Sequence, residues 1–74
     1  MKSRNVEITT EFIRLDALLK LCGLVGTGGH AKMVIQEGAV QVDDVPCLMR
    51  GKKIRPNDKV CYDGYEITVS YKNG

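Results

Sequence analysis

One histidine, His30, and three cysteines without a Cys-x-x-Cys pair are all that this 74-residue chain offers as soft metal ligands. Cys22, Cys47 and Cys61 are odd in number and 25 and 14 positions apart. They suggest neither a disulfide framework nor a zinc site, and no metal or other cofactor is expected. Long apolar runs are missing too. The longest mainly apolar stretch, Phe12 to Val25, is interrupted by Arg14, Asp16, Lys20 and Gly23, so it is too short and too charged to span a bilayer. No apolar signal-peptide region opens the chain, which is therefore expected in the cytoplasm without a membrane partner. Length is the last shortage. A chain of this size makes one domain, residues 1–74, and buries only about 60% of its unfolded surface. A second lobe with a cleft between has no room, which argues against most enzymes and against a small-molecule substrate.

What is present is ordinary in amount and uneven in placement. Apolar residues at 43% and charged residues at 27% place the chain among folded globular domains rather than disordered ones. The net charge of +2 is mild. From Arg50 to Lys59, however, Arg50, Lys52, Lys53, Arg55 and Lys59 face a single anion, Asp58, so this decade carries +4 and the rest of the chain −2. A basic cluster on a near-neutral body is the electrostatic footprint of a phosphate-binding surface.

The periodicity predicts β, α, α and then several β. Val6 to Thr10 reads as a brief edge strand. Leu15, Leu18, Leu19 and Cys22 then follow i, i+3, i+4, i+7 and predict helix one, with Asp16 in its first turn and an Asp16/Lys20 pair on its surface. Cys22 continues that apolar face and is explained by packing. Gly23 suits a left-handed helix end, Thr27 an N-cap, and Gly28 to Glu37 a second helix stopped by Gly38. Past Gly38 the period is two. Val40 and Val42 alternate with polar residues, Asp43-Asp44 suits a hairpin turn, and Pro46 suits an edge. Pro56-Asn57-Asp58 is a turn by composition. Asp63-Gly64 between Lys59–Tyr62 and Tyr65–Tyr71 is a type I′ hairpin signal.

Gly23-x-x-x-x-Gly28 has the spacing of a P-loop, but Gly29-His30 stands where lysine and a magnesium-holding hydroxyl belong, so nucleotide hydrolysis is unsupported. What remains is Thr27, Gly28 and Gly29 at a helix start, either a seat for an anion or only a tight connection. His30 could donate to a phosphate or stack on a base, or stand as a solvated surface residue; alone it defines no mechanism. Asp43-Asp44 is turn chemistry rather than a catalytic carboxylate pair. In the Arg50-Gly51-Lys52-Lys53-Ile54-Arg55 run, arginine offers forked contacts to phosphate and lysine a point charge. Tyr62, Tyr65 and Tyr71 have the spacing of sheet packing more than of a base-stacking platform.

Read in order, these pieces resemble the RNA-binding domain named after ribosomal protein S-four, also called the αL motif. Arg14-Leu15-Asp16-x-Leu18-Leu19-Lys20-Leu21-x-Gly23-Leu24 is similar to its first helix, Ala31-x-x-x-Ile35-x-x-Gly38-x-Val40-x-Val42 to its second helix and hairpin, and Pro56-x-Asp58-x-Val60 to its closing strand. The likeness covers roughly residues 12 to 62. Phe12-Ile13-x-Leu15, Thr27-Gly28-Gly29-x-Ala31-Lys32 and Arg50-Gly51-x-Lys53 look like the small stand-alone bacterial members typified by YaaA and YbcJ. The resemblance implies an α+β fold, two short helices packed on a small, mostly antiparallel sheet, and a non-catalytic module for structured RNA such as ribosomal RNA. It implies an RNA surface of Arg14, Lys20, the start of helix two and Lys32. Gly28 departs from a frequent arginine, and Asp43-Asp44 from a frequent Asn-Gly turn. Both departures shift the electrostatic task to Arg50, Lys52, Lys53 and Arg55. The expected partner is thus folded RNA, ribosomal RNA or an assembling subunit foremost, with ribosomal or assembly proteins beside it. The alternatives are a protein adaptor using Met33, Met49 and exposed strand edges, or an accessory domain serving an RNA-modifying enzyme in trans.

Overall fold

The computed structural model describes residues 2–72. Its elements run β1 (Lys2–Ile8), β2 (Ile13–Arg14), α1 (Leu15–Leu21), α2 (Gly28–Gln36), β3 (Gln41–Val42), β4 (Val45–Pro46), β5 (Lys53–Ile54), β6 (Lys59–Tyr62) and β7 (Tyr65–Tyr71). The expected α+β architecture is what they build. A five-stranded sheet has the order β1-β7-β6-β3-β4, antiparallel except where β1 joins β7, and β2 and β5 form a separate two-stranded ribbon.

The helical period puts Leu15, Leu18 and Leu19 on the inner face of α1 and Ala31, Val34 and Ile35 on that of α2, all of them buried. They join Val42, Val60 and Ile67, which stand in register across β3, β6 and β7. At about 25 cal/mol per Å² of apolar surface removed from water, this one cluster is the main source of stability. Gly23 and Gly38 end the helices at φ +79° and +80°, a left-handed conformation that glycine adopts without a Cβ penalty. Cys22 packs against the cluster and its thiol meets the Leu19 carbonyl oxygen at 3.5 Å. Burial pushes its pKa up, as befits a packing residue rather than a reactive one.

Two sequence expectations need correction. The first strand spans Lys2–Ile8, not Val6–Thr10, and pairs along its whole length with β7. Its polar first half, Lys2-Ser3-Arg4-Asn5, is possible because an edge strand is wetted on both faces, and the Asn5 amide is fixed to Thr68 Oγ1 at 3.0 Å. The second concerns Asp16, which pairs with Arg14 at 3.3 Å rather than with Lys20.

The Asp43-Asp44 turn closes β3 onto β4 with both residues in the left-handed region, at φ 51° and 69°. That conformation costs an L-residue about 1–2 kcal/mol, less for aspartate, which bonds locally. Here the offset is specific: Asp43 Oδ1 accepts from the Lys59 amide at 3.0 Å, and Asp44 holds the Lys59 ammonium at 3.1 Å. The hydrogen bond to Asp44 raises the Lys59 pKa. The pair's contribution is therefore present below the ordinary lysine range and is lost as pH rises through the raised value. In Asp44→Asn the titration midpoint of the Lys59 amine, followed by NMR, should move down.

Candidate nucleic-acid interface

Helix α1 has no side-chain N-cap, because the Arg14 guanidinium has donors only and can accept nothing from the first amides. The first amides of a helix still need acceptors. They find them in the basic segment: the Leu15 amide donates to the Lys52 carbonyl at 2.9 Å and the Asp16 amide to the Arg50 carbonyl at 3.1 Å. Just before them, β2 pairs with β5, setting Ile13 opposite Ile54 and Arg14 opposite Lys53. Alternation then decides the orientation. Ile54 is fully buried and Ile13 partly so, while Arg14 and Lys53 face solvent. A turn closed by the Lys52 amide on the Met49 carbonyl at 3.1 Å completes the junction.

Four of the sequence-predicted cations, Arg14, Arg50, Lys52 and Lys53, are thereby gathered at one end of α1, although 36 residues separate Arg14 from Arg50 in the chain. Their side chains are held by specific neighbours. The Arg14 guanidinium is engaged by Asp16 and passes over Gly51, where a Cβ would come within 3.8 Å of it. The Lys53 ammonium lies 5.0 Å from the centre of the Phe12 ring, an attraction worth about 0.5–1 kcal/mol at an exposed site. Arg55 follows at the next turn, where Asp58 N–H donates to the Arg55 carbonyl at 3.0 Å and the Arg55 amide donates to the Asp58 carboxylate at 2.8 Å. Asn57, at φ 79°, supplies the left-handed position of that turn.

The remaining sequence-predicted residues form a second group, and the structure does not merge it with the first. Lys20 is in the last turn of α1, roughly 9 Å along the axis from Arg14 at 1.5 Å per residue. Thr27, Gly28, Gly29 and His30 open α2, with Thr27 Oγ1 accepting from the His30 amide at 3.0 Å, and Lys32 lies one turn on. All are exposed. A Cβ at Gly28 would meet no atom within 4 Å, and one at Gly29 only the Thr27 hydroxyl at 3.9 Å. Nothing inside the protein therefore requires glycine at either position. By contrast the other end of α2 meets the basic side of the molecule, where Leu48 lies against Gly38 and the Cys47 amide donates to the Val40 carbonyl at 3.0 Å.

Sequence reasoning missed one pair of cations. Lys2 and Arg4 on β1 lie 5.8 and 5.1 Å from the centre of the Tyr65 ring. Their alternation along a polar stretch is the available signal, and it is hidden when the strand is taken to start at Val6. Arg4 and Tyr65 share a face of the sheet, which also explains Tyr65 as a packing residue.

Among the described residues no three His, Cys, Asp or Glu side chains converge to hold a metal. No described helix is long and apolar enough to cross a membrane. What the arrangement can do is present fixed positive charge to an anionic surface.

Comparison with known proteins agrees with the geometry. The family model described as S4 domain matches residues 6–70. The chain is also similar to a protein of Bacillus subtilis (strain 168) described as the probable ribosome maturation protein RlbA, with 38% identity over 60 residues, which are 81% of this chain and 84% of the relative.

Proposed function

The chain belongs to the S4 domain family, and on that premise we propose that it is a non-catalytic protein that binds structured RNA through backbone and shape contacts. The observation that carries this reading is the junction at which the Arg50 and Lys52 carbonyls cap α1, because it sets Arg14, Arg50, Lys52 and Lys53 on a rigid element. Preset cations lose less freedom on binding than cations on a mobile loop. A-form grooves expose little sequence to side chains, so shape and phosphate spacing do most of the recognition. Ribosomal RNA or an assembling ribosomal subunit in the cytoplasm is the partner, a reading supported by the similarity to a ribosome maturation protein. Lys20, Lys32 and the glycine-opened start of α2 form a second point of attachment.

With about five phosphates engaged, log affinity should fall against log salt with a slope of roughly −3.5 to −4.5. Fluorescence anisotropy with a folded ribosomal RNA fragment over a salt series measures it. A flat response would overturn the reading and favour a protein adaptor. Crosslinking in cells followed by sequencing of the attached RNA then identifies the target.

A further inference from the structure

A groove of about 530 Å³ runs between the β3–β4 turn and the basic segment. Val45, Leu48 and Met49 line its apolar part while remaining 63, 59 and 67% exposed. Lys52, Lys53 and Arg55 line its other side. Two carboxylates, Asp43 and Asp58, also belong to the wall, but each is engaged by a backbone amide, Asp43 by that of Lys59 and Asp58 by that of Arg55. Three cations against two carboxylates leave the wall of the groove with a net charge of +1. Three large apolar side chains are left in water beside three cations that form no ion pair among the described residues. The core does not account for them, since it closes without them.

We propose that this groove receives a single unpaired nucleotide of the bound RNA, its base on Met49, Leu48 and Val45 and its flanking phosphates on Lys52, Lys53 and Arg55. The inference rests on the RNA-binding reading above and adds a subsite to it. An unstacked base gains by leaving water for an apolar surface, which Met49, Leu48 and Val45 provide, and its phosphates need positive charge beside that surface, which Lys52, Lys53 and Arg55 supply. The volume falls within the range of small-ligand clefts, about 300–1,000 Å³. Continuity fixes the occupant. Lys53 belongs both to the groove and to the cation cluster around Arg14, so a strand lying on that cluster is led directly to the groove's mouth. An acidic, apolar peptide would meet the same chemistry but would have no reason to share Lys53 with a phosphate-binding cluster.

The test compares two RNA hairpins of identical stem, one fully paired and one carrying a single unpaired uridine, bound to the full chain and to Met49→Gln. Met49 is exposed, so the variant folds, and its charge is unchanged. The unmodified protein should prefer the bulged hairpin by about five- to tenfold, as expected when part of one base face leaves water for an apolar surface. Met49→Gln should lose that preference while keeping the affinity and salt slope for the paired hairpin. Equal binding of both hairpins by the unmodified protein, with a steep salt slope, would overturn the subsite and leave RNA binding standing. Failure to bind either hairpin, or any folded ribosomal RNA fragment, would remove both. In ¹³C-methyl NMR the Met49 signal should move with the bulged hairpin. Movement only with an acidic, apolar peptide would make the groove a protein-docking site and end the inference.

Discussion

Reversing the charge of Lys52 and Lys53 together, Lys52→Glu/Lys53→Glu, is expected to weaken binding to structured RNA by on the order of 10²-fold, since a charge-assisted hydrogen bond to phosphate is worth about 1.5 kcal/mol and the variant forfeits two. Both side chains are exposed, and the groups that hold α1 are main-chain carbonyls, which the substitution leaves in place. The circular dichroism spectrum should therefore stay that of the unmodified protein, and the unfolding midpoint should fall only by the roughly 2–8 °C that loss of the Lys53–Phe12 contact accounts for, while anisotropy records the weaker binding. The salt slope should become shallower by about 1.4–1.8, the share of two phosphates. Unchanged affinity would move the interface away from the basic segment. A reversal at Lys20 and Lys32 should then produce the larger effect.

Ile54→Ala is expected to destabilise the fold strongly. Ile54 is fully buried opposite Ile13 and is the only apolar side chain in the run from Arg50 to Arg55. Truncating a buried isoleucine costs about 2–5 kcal/mol. A domain of this length has roughly 4–11 kcal/mol in total at typical per-residue values. The thermal midpoint should fall by roughly 8–40 °C, as about 4–8 °C accompanies each kcal/mol at this size. Calorimetry measures the change. Ile54→Val, at about 0.5–1.5 kcal/mol, should stay folded at room temperature and keep its RNA affinity. If Ile54→Ala instead melts like the unmodified protein, the β2–β5 ribbon is not what fastens the basic segment to α1.

The helices, the three aspartate-bearing turns and the last two strands are legible in the sequence because local chemistry specifies them. Leu15, Leu18 and Leu19 declare a helical face, Thr27 caps its own helix through the His30 amide, and Asp63-Gly64 takes φ 51° and 79° as a type I′ turn demands. The start of β1 is not legible, because Lys2 to Asn5 carry no apolar alternation and their strand conformation is imposed by β7. The assembly of the candidate interface is hidden for a related reason. Arg14 and the Arg50 to Lys53 run each stand out in the sequence, but a two-residue ribbon leaves no periodic trace, and carbonyls that cap a distant helix leave none at all. The separation of Lys20 and Thr27 to His30 from the main cluster is hidden too, since nothing in the sequence says to which end of α1 the Arg50 to Lys53 run attaches.

The pairing of β1 with β7 joins residues 63 positions apart, as between Asn5 and Thr68. Pairings of such long range incur loop-closure entropy before they return any stability, and they slow folding. During synthesis β1 must wait for β7, which is made later. Until then the inner edge of β1 is an open strand edge, and β6 is likewise uncovered on the side that β7 will take. The time between making the first strand and seating the last one is therefore the interval in which this chain is most exposed to pairing with a wrong edge.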